Sequence, residues 1–270
     1  MIPSTEQRNQ RSTDIDQLDA AGVIALMNVE ELGVLRAVEA ASARLAEVAE
    51  WVAKAYAGGG RIVYIGAGTS GNVAAMDAAE MPATFGVACD RFLALTTAAT
   101  VTAPGRTIGP EDDTTSAPAA LDALAAGPAD LVVALAASGS TPVVVAGLAH
   151  GRRRGCATVG IANNPGTPLL TAADLPILLD TGPEVVTGST RLKAATAQKL
   201  ALNRVSTTAM VLLGRVVSNL MVEVAPANAK LKARCIRIVS ELTGADADEA
   251  RAGLERHQWL VRPVLDEARP

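Results

Sequence analysis

The chain has 270 residues, 49% hydrophobic and only 2% aromatic, with a formal net charge of −4. That length can bury one substantial core with at most a small appendage. The acidic balance excludes the clustered basic surface that nucleic-acid binding needs, so any phosphate must be held by backbone amides and hydroxyls.

Two histidines are too few for a multi-His metal site, and Cys89, Cys156 and Cys235 lack metal-ligand spacing. Sparse, odd-numbered thiols suit a reducing compartment. No apolar run approaches a membrane span, and the polar start lacks the apolar region of a signal peptide. A cytoplasmic protein is expected.

Residues 1–17 are polar and expected to be extended or only partly ordered. From Leu18 to Tyr56 apolar residues recur at helical spacing: Val34, Leu35, Val38, Leu45, Val48 and Val52. Gly58-Gly59-Gly60 then stops the helix. Strands are expected at 61–66, 91–96, 130–136, 156–161 and 175–179, with helices at 70–80, 116–126, 141–154 and 189–213. Such alternation predicts an α/β fold, a parallel five-stranded sheet covered on both faces by helices.

Beyond Gly214 the pattern reads as helical again, with a further helix from Ala227 to Leu242 and a break at Thr243-Gly244. Ala245 to Ala268 reads as two short helices around Trp259. The expected organisation is an arm (1–17), an α/β unit (18–242) and a helical tail (243–270) that docks on the body or on a partner chain. His150 and Trp259 read as structural, the first ending a helix and the second pinning the tail.

Three strand-to-helix turns share one chemistry: Gly66-Ala-Gly-Thr-Ser-Gly71, Ser138-Gly-Ser-Thr-Pro142 and Gly182-Pro-Glu-Val-Val-Thr-Gly-Ser-Thr-Arg191. A helix N-terminus presents free N–H groups and the positive end of a dipole, and hydroxyl residues there add donors. The first turn also matches the dinucleotide pattern G-x-G-x-x-G, but two hydroxyls fill it and no clear acidic ribose ligand ends the second strand. Any one such loop reads most simply as a helix cap. Three at one sheet edge favour a phosphorylated small molecule.

With Glu80-Met-Pro-Ala-Thr-Phe-Gly86, Asn164-Pro-Gly-Thr-Pro-Leu169 and Gly182 to Lys193, the first turn resembles the N-acetylmuramic acid 6-phosphate etherases of the sugar isomerase (SIS) fold superfamily. The likeness begins at Thr5-Glu-Gln-Arg-Asn9 and continues through Ala197-Gln-Lys-Leu200 and Asn228-Ala-Lys-Leu231. It implies cleavage of a D-lactyl ether to N-acetylglucosamine 6-phosphate and D-lactate, no metal or redox cofactor, and a homodimer. The family's two glutamates map to Glu80 and, in Pro110-Glu111-Asp112-Asp113, to Glu111. Two of its usual arginines are replaced here by Asn72 and Ser140, and the lead-in from Thr96 to Gly109 carries Pro104 and Arg106 in place of a glycine-rich pattern.

A sugar C3 ether resists direct hydrolysis, but in the open-chain aldehyde the C2 proton is acidic. One carboxyl can remove it while another protonates the departing oxygen. Glu80 is read as the acid and Glu111 as the base, the reverse being the alternative. The phosphate is expected on Ser70, Ser138 and Thr141, assisted by Thr69 and Ser140. Ser189, Thr190 and Lys193 are expected to close the sugar side, and Glu184 to accept from a sugar hydroxyl or brace its loop. The competing readings are a catalytically inactive sugar-phosphate-binding regulator and a sugar-phosphate isomerase.

Overall fold

The computed structural model describes residues 2–97, 103–224, 226 and 228–268. Part of the lead-in to Glu111 (98–102) and the expected helix start at Ala227 lie outside the described residues.

Two helices, α1 (Ala20–Ala40) and α2 (Ser42–Ala57), precede β1 (Ile62–Gly66), α3 (Gly68–Phe85) and β2 (Phe92–Thr97). An edge strand β3 (Gly105–Ile108) leads to α4 (Ser116–Ala123), β4 (Leu131–Ala136), α5 (Pro142–Arg153) and β5 (Ala157–Ala162). Then follow α6 (Pro168–Ala172), β6 (Leu175–Leu178) and the long α7 (Lys193–Leu212).

The strands form one parallel sheet in the order β3-β2-β1-β4-β5-β6. Its period-2 side chains feed two cores. Ile62 and Tyr64 face α1, α2, α3 and α7 with Val48, Ala78 and Val205, while Val63 and Ile65 face α4 and α5 with Leu121, Val144 and Leu148. All of these side chains are buried.

The sheet has six strands where five were expected. The sixth, β3, is short, and its Gly105, Arg106 and Thr107 are exposed. An edge strand this short and polar has no apolar alternation to betray it. The run from Leu18 is two helices, divided at Ala41. After Gly214 the chain forms an antiparallel hairpin, β7 (Val216–Val217) with β8 (Leu220–Met221), where helix was expected.

The helices α8 (Ala229–Thr243), α9 (Ala247–Arg256) and α10 (Val261–Glu267) share a third apolar cluster containing Val222, Val224, Cys235, Leu254 and Leu265. Trp259 packs against this cluster, with Lys232 Nζ 4.6 Å from its ring centroid. Among the described residues, no helix is long and apolar enough to cross a membrane.

The polar N-terminus is neither extended nor loose. It makes three 3-10 turns (Ser4–Glu6, Gln10–Ser12 and Ile15–Gln17) and buries Thr5, Asn9 and Ser12. Its polar side chains find polar partners on the body, which composition does not reveal.

Candidate active site

The strand order reverses between β1 and β4, and in open parallel sheets such a switch point opens a crevice at the carboxyl ends of the strands. The first hydroxyl loop leaves β1 and the second leaves β4, so the two are neighbours at that crevice. Gly66 and Gly71 allow the first: a Cβ on Gly66 would lie 2.8 Å from Gly71 N, and one on Gly71 would lie 2.8 Å from Gly66 O. Between them Gly68 takes a φ of 52°, which favours glycine. Its N–H donates to Thr97 Oγ1 at 3.1 Å, Thr69 is exposed, and Ser70 is buried in the first turn of α3.

In the second loop the Oγ atoms of Ser138 and Thr141 are 3.3 Å apart, and Ser140 N donates to Ser138 Oγ at 3.2 Å. Gly139 has a φ of 68°, and a Cβ there would fall 2.2 Å from Thr167 Oγ1. The Asn164–Leu169 stretch therefore backs the second loop directly.

Glu111 joins both loops. Its carbonyl accepts from Val143 N, in the first turn of α5, at 2.9 Å. Its Oε1 lies 3.1 Å from where a Cβ on Gly68 would be. The carboxylate therefore stands at the mouth of α3, beside the hydroxyl loops.

Glu80 is elsewhere. It lies more than three turns along α3 from Gly68, about 18 Å at ~1.5 Å per residue. There it lines a groove of about 340 Å³ between α3 and α7 with Met76, Asp77, Lys199, Asn203 and Ser206. Behind it, Asp77 accepts from Tyr64 Oη at 2.8 Å and Ser206 Oγ at 3.0 Å. Burial raises the Asp77 carboxyl, against the pull of these two donors and of Lys199. Within one chain Glu80 and Glu111 do not meet.

The third loop, after β6, is held from beneath. Glu184 is fully buried, and its two oxygens accept from Lys193 N at 3.0 Å and Ala194 N at 2.9 Å. It thus serves as the N-terminal cap of α7, the bracing role. Burial raises its carboxyl, opposed by those two N–H donors and the Lys193 charge. Glu184→Ala is expected to lower stability by about 1–2 kcal/mol, the cost of a lost helix cap; thermal unfolding against wild type and Glu184→Gln measures it.

Lys193 is buried too, and its Nζ pairs with Glu30 Oε2 at 2.9 Å. Ser189 and Thr190 remain partly exposed at that edge.

Sequence reasoning missed Glu30, Asn9 and Asn164. Glu30, on α1, also receives Asn9 Nδ2 at 2.7 Å and Arg11 Nε at 2.5 Å. Burial pushes the Glu30 carboxyl up, but Arg11, Lys193 and Asn9 outweigh it and hold it at about 2. Asn164 Oδ1 accepts from Ser4 Oγ and Thr5 N, while its Nδ2 donates to Thr5 Oγ1 and Ala137 O. Glu30 carried no sequence signal, whereas Asn9 and Asn164 each stood in a family-like stretch, Thr5–Asn9 and Asn164–Leu169.

A protein-family model described as a SIS domain matches residues 30–163. The N-acetylmuramic acid 6-phosphate etherase of Deinococcus radiodurans is 46% identical over 97% of this chain and 86% of its own length. That of Mycolicibacterium smegmatis is 44% identical over 93% and 84%. Among solved structures, an E. coli CFT073 protein, solved as a complex, superposes with a TM-score of 0.53 at 18% identity, over 75% of this chain and 97% of that one. A Francisella tularensis phosphoheptose isomerase gives 0.50 at 11% identity, over 74% and 99%. These two share the fold. The resemblance at 41–46% identity across nearly the whole chain carries more: the chain belongs to the N-acetylmuramic acid 6-phosphate etherase family, carbon–oxygen lyases built on a SIS domain.

Proposed function

We propose that this chain performs, in the cytoplasm, the reaction its family is named for: cleavage of the D-lactyl ether of N-acetylmuramic acid 6-phosphate in amino-sugar recycling. In the open-chain sugar a carboxylate takes the C2 proton. The C3–O bond then breaks with the electron pair leaving on the ether oxygen, which a carboxylic acid protonates, and D-lactate departs. Water adds to C3 of the unsaturated aldehyde and a proton returns to C2, giving N-acetylglucosamine 6-phosphate.

The observation that carries the reading is Glu111, whose carboxylate stands over Gly68 at the switch point. There Ser70, Ser138 and Thr141 would bind the phosphate, with Thr69 and Ser140 beside them. Ser189 and Thr190 would line the sugar side. Glu184 and Lys193 would act through the third loop, which they hold, because their charged groups are spent on α7 and Glu30.

Acid and base must reach adjacent carbons of one sugar, and about 18 Å of helix separates Glu80 from the loop. The reading is therefore a homodimer in which Glu80 of one copy reaches the Gly68 loop of its partner. Exposed apolar residues suit such an interface: Ile24, Leu32 and Leu35 share a face of α1, and Val211 and Leu212 end α7. The acid role falls to Glu80 and the base role to Glu111.

Incubation with N-acetylmuramic acid 6-phosphate in deuterated water tests the route. The expected result, followed by NMR, is lactate release with deuterium at C2 of the product. Sugar-phosphate binding with neither signal would point to a binding protein without turnover, the reading that the replaced arginines at Asn72 and Ser140 would favour.

A further inference from the structure

A second carboxylate stands at the open edge, and it comes from the N-terminal arm. A Cβ built on Gly188 would fall 3.0 Å from Glu6 Oε2, just as one on Gly68 would meet Glu111. Gly188 has a φ of 74° and immediately precedes Ser189 and Thr190, so only bare backbone separates the loop from Glu6.

The arm is fastened on both sides of this residue. Ser4 and Thr5 are bonded to Asn164, which also holds Ala137, the residue before Ser138. Beyond Glu6, Asn9 Nδ2 donates to Glu30 and Pro183 O, and Ser12 Oγ donates to Val185 O at 2.8 Å. Thr5, Asn9 and Ser12 are buried, while Glu6 between them is exposed. Among the described residues its carboxylate has no hydrogen-bond or ion-pair partner. An arm this firmly tied presents a free acceptor in one fixed place.

That place is tied to the second loop through one side chain, since Asn164 holds Ser4 and Thr5 on the arm and Ala137 just past the end of β4. A carboxylate there repels phosphate and attracts donors, so it orients the ligand with phosphate at the β1/β4 crevice and polyol toward the arm.

We infer that Glu6 is a specificity-determining residue that accepts hydrogen bonds from the hydroxyls or the acetamido N–H of the bound amino sugar. The inference rests on the etherase reading. Glu6→Gln keeps the shape and removes the charge, and hydrogen bonds to a charged group are the strong ones.

The test is titration of N-acetylglucosamine 6-phosphate, glucose 6-phosphate and inorganic phosphate into wild type, Glu6→Gln and Glu6→Ala, with steady-state turnover alongside. Sugar-phosphate affinity is expected to fall roughly 10- to 100-fold, with KM raised more than kcat is lowered and inorganic phosphate binding unchanged. Equal losses for both sugars assign the acceptor to hydroxyls, and a loss confined to the N-acetyl sugar assigns it to the acetamido N–H. Unchanged affinity and KM in both variants of an active wild type would overturn the inference alone, as would parallel loss of inorganic phosphate binding. A wild type that neither binds nor cleaves would overturn the etherase reading itself.

Discussion

Glu80→Gln and Glu111→Gln are each expected to lower turnover by about 10²- to 10⁴-fold, the usual worth of a positioned acid or base. Brought into one hybrid dimer, they are expected to regain activity. In a two-fold dimer whose sites each take Glu80 from one copy and Glu111 from the other, the hybrid has one doubly defective site and one intact site. With random pairing, roughly half the dimers are hybrids and roughly one quarter of all sites are whole. Co-expression with two affinity tags isolates the hybrid and reads this directly. If both carboxyls served from the same chain, every hybrid site would carry a single defect and no activity would return. The separation along α3 is what makes recovery the expected outcome, because no rotamer of a glutamate spans about 18 Å. Full activity in either single variant would remove that residue from the chemistry.

Much of this geometry was legible in the chain because it is local. Buried parallel strands read as continuous apolar runs, and the hydroxyl turns followed them at the positions where β1 and β4 end. What escaped the sequence is what depends on distant partners. Glu184 reads as a loop carboxylate and proves to be a cap, since the N–H groups it satisfies belong to Lys193 and Ala194 across a turn. Lys193 reads as a ligand-facing cation, but the side chain that neutralises it is Glu30, 163 positions away. The end of α3 was misjudged, since the helix runs on through Pro82 to Phe85 rather than stopping at residue 80, but the twelve positions from Gly68 to Glu80 already set their separation. The arm was hardest to foresee. Its polarity suggested solvent, whereas Asn9, Ser12 and Thr5 each meet a buried acceptor or donor on the body.

Glu30→Ala is expected to be the most destabilising single change, by about 3–5 kcal/mol, because it leaves the Lys193 ammonium buried without its partner. Denaturant unfolding reads the loss. Glu30→Leu combined with Lys193→Met separates stability from purpose. An apolar pair of similar volume should recover most of the stability, since a buried ion pair is seldom worth more than good packing. The double variant still lacks the acceptor for Asn9 and Arg11, so residues 2–17 should lose hydrogen-exchange protection and KM should rise while the unfolding midpoint stays high. Restored protection of the arm in that variant would show that Glu30 serves packing alone. The acid limb gives an independent reading of the same latch. The Glu30 carboxyl is held at about 2, below its ordinary 4.5, so its contribution is whole above about pH 4.5 and drains away as pH falls toward 2. Wild-type arm protection should fall over that window, whereas the double variant, having no carboxyl there to protonate, should show little change across it. A carboxylate that fastens the arm, and through it the loop bearing Ser189 and Thr190, links the stability of the fold to the shape of the proposed sugar side of the site.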